Sequence, residues 1–203
     1  MNDYFIGITD KGKQREKNED TFIVQEVFNN KFLVACVIDG VGGYSGGDVA
    51  ADIARTVILE KLQGLSGNVI EELQQAISAA NAKILHEKKG SEKNGGMACV
   101  LTCAIADIKN NKLYYAHVGD TRLYLLRDHS LVKISKDHSV VGFLEESGRF
   151  RKKMRCCIQE GTRSIKRLGL KNRSIALPAI LKPVNLLFFP ATRSFYAVMA
   201  LRI

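Results

Sequence analysis

A chain of 203 residues that is 46% hydrophobic and 25% charged has the composition of a globular protein, long enough for one domain with a sizeable core. No apolar run reaches membrane-spanning length, and the opening Met-Asn-Asp-Tyr lacks the basic and apolar stretches of a secretory leader, so a cytosolic protein is expected. The net charge of +9 would suit nucleic acid or an anionic membrane, but residues 151–203 carry a net of +11 and leave residues 1–150 at −2, so the excess belongs to a tail.

Residues 4–9 and 21–28 are short aromatic and β-branched runs around a polar loop, and they predict two strands. Phe32 to Ile38 is a nearly continuous apolar run, the pattern of a strand buried on both faces, and it stops at Asp39 and a glycine-rich turn. From Asp48 the period becomes helical: Val49, Ile53, Val57, Ile58 and Leu62 recur on one side, with Gly64 as the stop. A second helix is predicted from about Val69 to Lys88, with Ile70, Leu73, Ile77, Ala80, Ile84 and Leu85 on one side and Ser66 or Asn68 as cap. Three strand-like runs follow, Met97–Ala106, Lys112–Val118 and Thr121–Arg127, with turns at Asn110-Asn111 and Gly119-Asp120. Strands, two helices and further strands predict an α+β layered sandwich rather than a βαβ repeat. Of the five cysteines, Cys36, Cys99 and Cys103 lie in apolar runs and read as reduced, buried thiols; no paired metal-ligand spacing is present.

Three constellations carry chemistry. Asp39 ends a buried strand, and Gly40, Val41, Gly42 and Gly43 after it let backbone carbonyls and another ligand come close. Oxygen-only ligation of that kind suits a hard cation such as Mg²⁺ or Mn²⁺, against the plainer reading of an aspartate that starts a turn. In Asp10-Lys-Gly12-Lys-Gln-Arg15-Glu-Lys-Asn18-Glu19-Asp20, Arg15 offers a planar fork for a phosphate and Glu19 and Asp20 offer hard oxygens, where a solvated charged loop is the alternative. Val118-Gly119-Asp120-Thr121-Arg122 is a tight turn that presents another carboxylate, or else an ordinary hairpin.

Together these segments resemble the metal-dependent protein serine/threonine phosphatases of the PP2C type, in their bacterial branch. Asp10-x-Gly12-x-x-Arg15-x-x-Asn18-Glu19-Asp20 is similar to the first motif, and Asp39 to Gly43 with Gly47-Asp48-Val49-Ala50 to the second. Gly119-Asp120-Thr121-Arg122 resembles the Gly-Asp-Ser-Arg motif, and Asp137-His138-Ser139 the short motif after the next strand. The order and rough spacing match, and the likeness covers essentially residues 1–150. It implies an α/β/β/α four-layer sandwich of antiparallel sheets, incomplete at the C-terminus. It further implies that Asp39 bridges two Mn²⁺ or Mg²⁺ ions, that the Gly40 carbonyl completes one coordination sphere, and that Asp20 with Glu19 ligates metal or its waters. Arg15 would bind the substrate phosphate and Asp120 would contribute to a third metal site. The implied reaction is in-line attack of a metal-activated water on phosphoserine or phosphothreonine, in proteins phosphorylated by a serine/threonine kinase, with a monomer expected. Tyr44 departs from a histidine common in the family, and Met97-Ala98-Cys99-Val100 from a Gly-Thr-Thr stretch, which is expected to alter local packing. His138 falls in a motif, whereas His86, His117 and His129 read as structural or surface residues; none is given a catalytic role.

The family's remaining aspartates, in Ser-Asp-Gly and Asp-Asn, have no counterpart in residues 151–203, which contain no aspartate. One frame change of constant phase accounts for this. Lys152-Lys153-Met154 permits Glu-Glu-Asp, Cys156 to Gly169 permits a continuation close to the family's, and Val198-Met199-Ala200 permits Ser-Asp-Gly. The tail is therefore expected to be an out-of-frame translation ended by a premature stop, without a native fold, leaving metal affinity and phosphatase activity impaired. Two other readings stay open: a non-catalytic binding module of the same fold, and a basic tail that binds nucleic acid or membrane.

Overall fold

The computed structural model describes residues 6–13, 15–28, 31–41, 46–66, 68–90, 96–107, 109–110, 112–127, 130–138, 180–181, 185–187 and 198–202. In chain order the elements are β1 (Asp20–Val27), β2 (Phe32–Val41), α1 (Gly47–Gln63), α2 (Val69–Lys89), β3 (Ala98–Asp107), β4 (Lys112–Val118), β5 (Arg122–Arg127), β6 (Ser130–Lys133), β7 (Ile180–Leu181), β8 (Asn185–Leu187) and β9 (Val198–Arg202). One sheet runs β1-β2-β3-β4-β7 and the other β6-β5-β9-β8.

The apolar run in β2 is divided by the pleat. Val34, Cys36 and Ile38 face a core shared with Ala50, Ala54, Ile58 and Leu62 of α1 and Leu73, Ile77 and Ile84 of α2. Leu33, Ala35 and Val37 face a second core with Ala104, Leu113, Leu123 and Leu125, which joins the two sheets. Alternation with a period of two makes both sets apolar, as a central strand between two layers requires. The described layers are thus helices, first sheet and second sheet. The outer helical layer implied by the family resemblance lies outside the described residues, as does most of the tail. The described pieces of that tail are strands: β7 pairs with β4, and β8 and β9 enter the second sheet.

Several expectations are corrected. Residues 6–9 form no strand; Ile6 and Ile8 point to solvent, and Asn18 Nδ2 donating to Thr9 Oγ1 at 2.8 Å ties the segment in through side chains. β2 does not stop at Asp39 but continues to Val41, because Asp39 and Gly40 keep their pairing with Val100 and Cys99. Val49 is exposed, since the buried stripe of α1 runs through Gly47, Ala50, Ala51, Ala54, Ile58 and Leu62 instead. Asn68 holds the N-cap position of α2 without a capping hydrogen bond to the backbone; its Nδ2 donates to Glu71, while Ser66 N and Oγ donate to Glu72. β6 was not expected. The β5–β9 pair is parallel, a departure from all-antiparallel sheets.

The Gly119-Asp120 segment also differs from expectation. It is no hairpin: β4 and β5 belong to different sheets, and this turn carries the chain across the gap between them. Gly119 has φ +108°, and a Cβ there would lie 2.3 Å from Val100 Cβ, so only glycine fits the crossing. By contrast, Asn110 closes the β3–β4 hairpin as expected, its N–H and Nδ2 donating to the Asp107 carboxylate at 3.0 and 2.8 Å.

Candidate functional site

The antiparallel register places the acidic residues together. Asp20 at the start of β1 lies opposite Asp39 near the end of β2, and Asp39 lies opposite Val100 of β3. Leu101 pairs with Val118, so the next position along that row is Gly119, beside Asp120. By the alternation that sends Val37 toward the second sheet, Asp39 and its cross-strand neighbour Asp20 project on that same face. The site therefore sits at one end of the space between the two sheets, where β1, β2 and the β4–β5 crossing meet.

Electrostatics single out Asp39. Burial pushes its carboxyl well above the ordinary range, the charges of Asp20 and Asp120 push it further, and Arg15 opposes them. Asp20 is raised by desolvation, although its position is exposed, against a lowering hydrogen bond to Asp39 and the Arg15 charge. Both carboxyls are thus pushed up, and their closeness works against two independent anions side by side.

The backbone is drawn in tightly around them. Gly40 N donates to Glu19 O at 3.0 Å. A Cβ on Gly40 would fall 2.4 Å from Gly47 O and 2.5 Å from Glu19 O, so β1, β2 and the start of α1 meet at a point only glycine permits. Arg15 Nη1 and Glu19 Oε2 form an ion pair at 2.5 Å, and Glu19 Oε1 reaches toward Gly47. Lys17 pairs with Asp48 at 3.5 Å, joining the loop to the first turn of α1. Asp10 accepts from Gly12 N at 2.7 Å and so shapes its own turn.

Of the residues singled out from the sequence, Asp20, Asp39, Gly40, Glu19 and Arg15 are thus brought together, and Asp120 acts on Asp39 through its charge. Among the described residues, no three His, Cys, Asp or Glu side chains already converge as a formed metal cage. The donor set nevertheless fits a hard divalent cation. It is made of oxygens, it is anionic, and its central carboxyl is held in a state that positive charge would relieve.

A second polar group joins the motif residues Thr121 and Asp137, and His117, read from the sequence as structural or surface, with Thr102 and Ser135, which the sequence did not single out. Thr102 pairs with His117 across β3 and β4, one pleat step below the Asp39–Val100 row. His117 Nδ1 lies 2.8 Å from Thr102 Oγ1, which lies 2.6 Å from Thr121 Oγ1, all three buried. Burial and the nearby His138 push the His117 pKa down to about 3, against hydrogen bonds to the Gly119 and Lys136 backbones. Ser135 Oγ accepts from Leu123 N at 2.9 Å, and the buried Asp137 pairs with Lys133 at 2.6 Å. The available signal was the interruption of two apolar alternations by Thr102 and His117. The three core cysteines are free and buried, as expected.

The fold and site define a helix-backed, two-sheet α+β protein with an acidic centre at the end of its inter-sheet space. The profile of the family described as Protein phosphatase 2C matches residues 10–166, and the chain belongs to that family. It is 33% identical over 149 residues to the serine/threonine phosphatase stp of Listeria monocytogenes serotype 4b, a match covering 71% of this chain and 58% of that one. It is 32% identical over 146 residues to the serine/threonine protein phosphatase PstP of Mycobacterium tuberculosis, covering 70% of this chain and 26% of that one. The chain thus spans little more than half the length of the Listeria relative. In structure it is similar to the M. tuberculosis serine/threonine phosphatase PstP/Ppp, with TM-score 0.69 and 27% identity over 85% of this chain and 69% of that one. The catalytic domain of PstP in complex with two manganese ions gives TM-score 0.72 at 24% identity over 86% and 70%, a likeness of fold. No described helix is long and apolar enough to cross a membrane.

Proposed function

We propose that this site is built to hydrolyse phosphoserine and phosphothreonine in proteins with the help of Mn²⁺ or Mg²⁺. The observation that carries the reading is the placement of Asp20 opposite Asp39 on paired strands, with Asp120 adding negative charge beside Asp39. Asp39, Asp20 and the Gly40 carbonyl would hold two cations, with Glu19 holding water at the rim and Asp120 contributing to a third site. The chemistry such cations supply is acidification of water and neutralisation of charge on the phosphoryl oxygens. Arg15 would grip the substrate phosphate through its planar fork, and Glu19 aims that fork through their ion pair. Its replacement by alanine should raise KM for a phosphopeptide by about tenfold or more. Proteins phosphorylated by a serine/threonine kinase are the substrates this chemistry fits, in a cytosolic, monomeric protein.

The same proposal includes impaired activity in this chain, because residues 151–203 supply no aspartate. We attribute that to out-of-frame translation after Arg149. The direction of β9 supports this: it begins opposite Arg122, two residues beyond Asp120, where the shifted frame would encode Ser-Asp-Gly. Two measurements test the proposal. Sequencing of the gene across the Arg149 codon should reveal a frame whose restoration yields that tripeptide. Purified 203-residue protein should hydrolyse a phosphothreonine peptide with Mn²⁺ at least about 100-fold more slowly than the frame-restored chain. Equal rates would sink the impairment, and a frame-restored chain without Mn²⁺-dependent hydrolysis would sink the phosphatase reading in favour of a binding module.

A further inference from the structure

Asp120 stands on a turn that its own sequence leaves loosely determined. Gly119 has φ +108°, a region open to glycine in many conformations, so something outside the turn must select one. The segment after β6 does so. His138 N donates to Gly119 O at 2.6 Å, and Gly119 N donates to His138 Nδ1 at 3.3 Å. Both backbone groups of Gly119 are thus held by one residue, in a closed ring of two hydrogen bonds. Because Nδ1 accepts, the proton of the neutral ring sits on Nε2.

The segment is itself anchored on both sides. Asp137, whose side chain is fully enclosed, pairs with Lys133 Nζ at 2.6 Å and approaches Arg122 Nε at 3.8 Å. Ile134 N donates to Leu123 O at 2.8 Å. The His138 ring rests on the His117 ring, centroids 4.8 Å apart, and His117 is fixed by the Thr102–Thr121 hydrogen-bond chain. We infer that His138 is a positioning residue: it clamps the Gly119–Asp120 turn so that the Asp120 carboxylate faces Asp39, with the His117–Thr102–Thr121 chain as its floor. This rests on the metal reading above only for what Asp120 then does.

The test uses the full chain, its His138→Leu variant and its His138→Asn variant, in which the asparagine oxygen stands near the place of Nδ1. Without metal, amide exchange of Gly119 should quicken at least tenfold in His138→Leu, leave Cys36 and Ile38 of β2 unchanged, and return to within about threefold of the parent in His138→Asn. Ring nitrogen shifts of the unaltered chain should show His138 protonated at Nε2, a readout that needs no variant to fold. Unchanged Gly119 exchange in His138→Leu, no rescue by asparagine, or a proton on Nδ1 would each overturn the inference. Titration with Mn²⁺ followed by electron paramagnetic resonance should show weaker binding in His138→Leu than in parent and His138→Asn. If the frame-restored chain binds no Mn²⁺ while exchange behaves as stated, the clamp stands and the metal reading fails.

Discussion

At Asp39, burial and the charges of Asp20 and Asp120 all oppose ionisation, and Arg15 works against them. A carboxyl raised in this way stabilises the fold below its unfolded pKa of about 4, and that contribution is lost as pH rises through the folded value. Asp39→Asn should therefore raise the Tm of metal-free protein at pH 7 by a few degrees, and should abolish any further rise that Mn²⁺ gives the parent. Thermal melts of both proteins with and without Mn²⁺ check this, and a Tm lowered by the substitution would contradict it. His117 acts in the opposite sense. Its folded pKa of about 3 lies below the ordinary value, so the unfolded chain takes up a proton that the folded one refuses. Stability should fall as pH drops from about 6.5 toward 3, by at most about 1.4 kcal/mol per pH unit. Urea unfolding of parent and His117→Gln in an Asp39→Asn background should isolate that slope, since the two groups otherwise pull against each other.

Among the elements, α1 gives the clearest contrast between a periodic sequence and a packed face. Both Val49 and Ile58 fit the helical repeat, yet Val49 is 40% exposed and Ile58 fully buried. Ile58→Ala should cost about 2–5 kcal/mol and Val49→Ala within about 0.5 kcal/mol by denaturant unfolding. The repeat could not separate them, because α1 turns its small residues, Ala50, Ala51 and Ala54, to the sheet and so lies close against it. Gly40 and Gly119 make the same point for strands. Gly40→Ala would press a methyl group into the Gly47 and Glu19 carbonyls, and Gly119→Ala would add a strained φ to a clash with Val100. Each should lose about 2–4 kcal/mol, with no recovery expected from alanine's gain in backbone stiffness.

Across the whole molecule, the division of labour follows from the range of the forces involved. Helix and strand positions, the two buried faces of β2, the buried cysteines and the motif residues Arg15, Glu19, Asp20, Asp39 and Asp120 could be read locally, because periodicity, glycine punctuation and residue chemistry act within a few positions. Which strands share a sheet could not. The Gly119-Asp120 pair looks like any hairpin turn, and only the pairing of β4 with β3 and of β5 with β6 reveals a crossing between layers. The His117–Thr102–Thr121 chain was hidden for a related reason, since His117 and Thr121 lie 15 and 19 residues from Thr102 and meet it only through register. The sequence by itself determined which residue types the motifs carry and where its two compositions meet. The tertiary structure decided that Asp20 and Asp39 share a row, that Asp120 reaches them from the crossing, and that His138 holds the crossing in place. Residue type is a local property, whereas the distance between two carboxylates is set by strand register across the sheet.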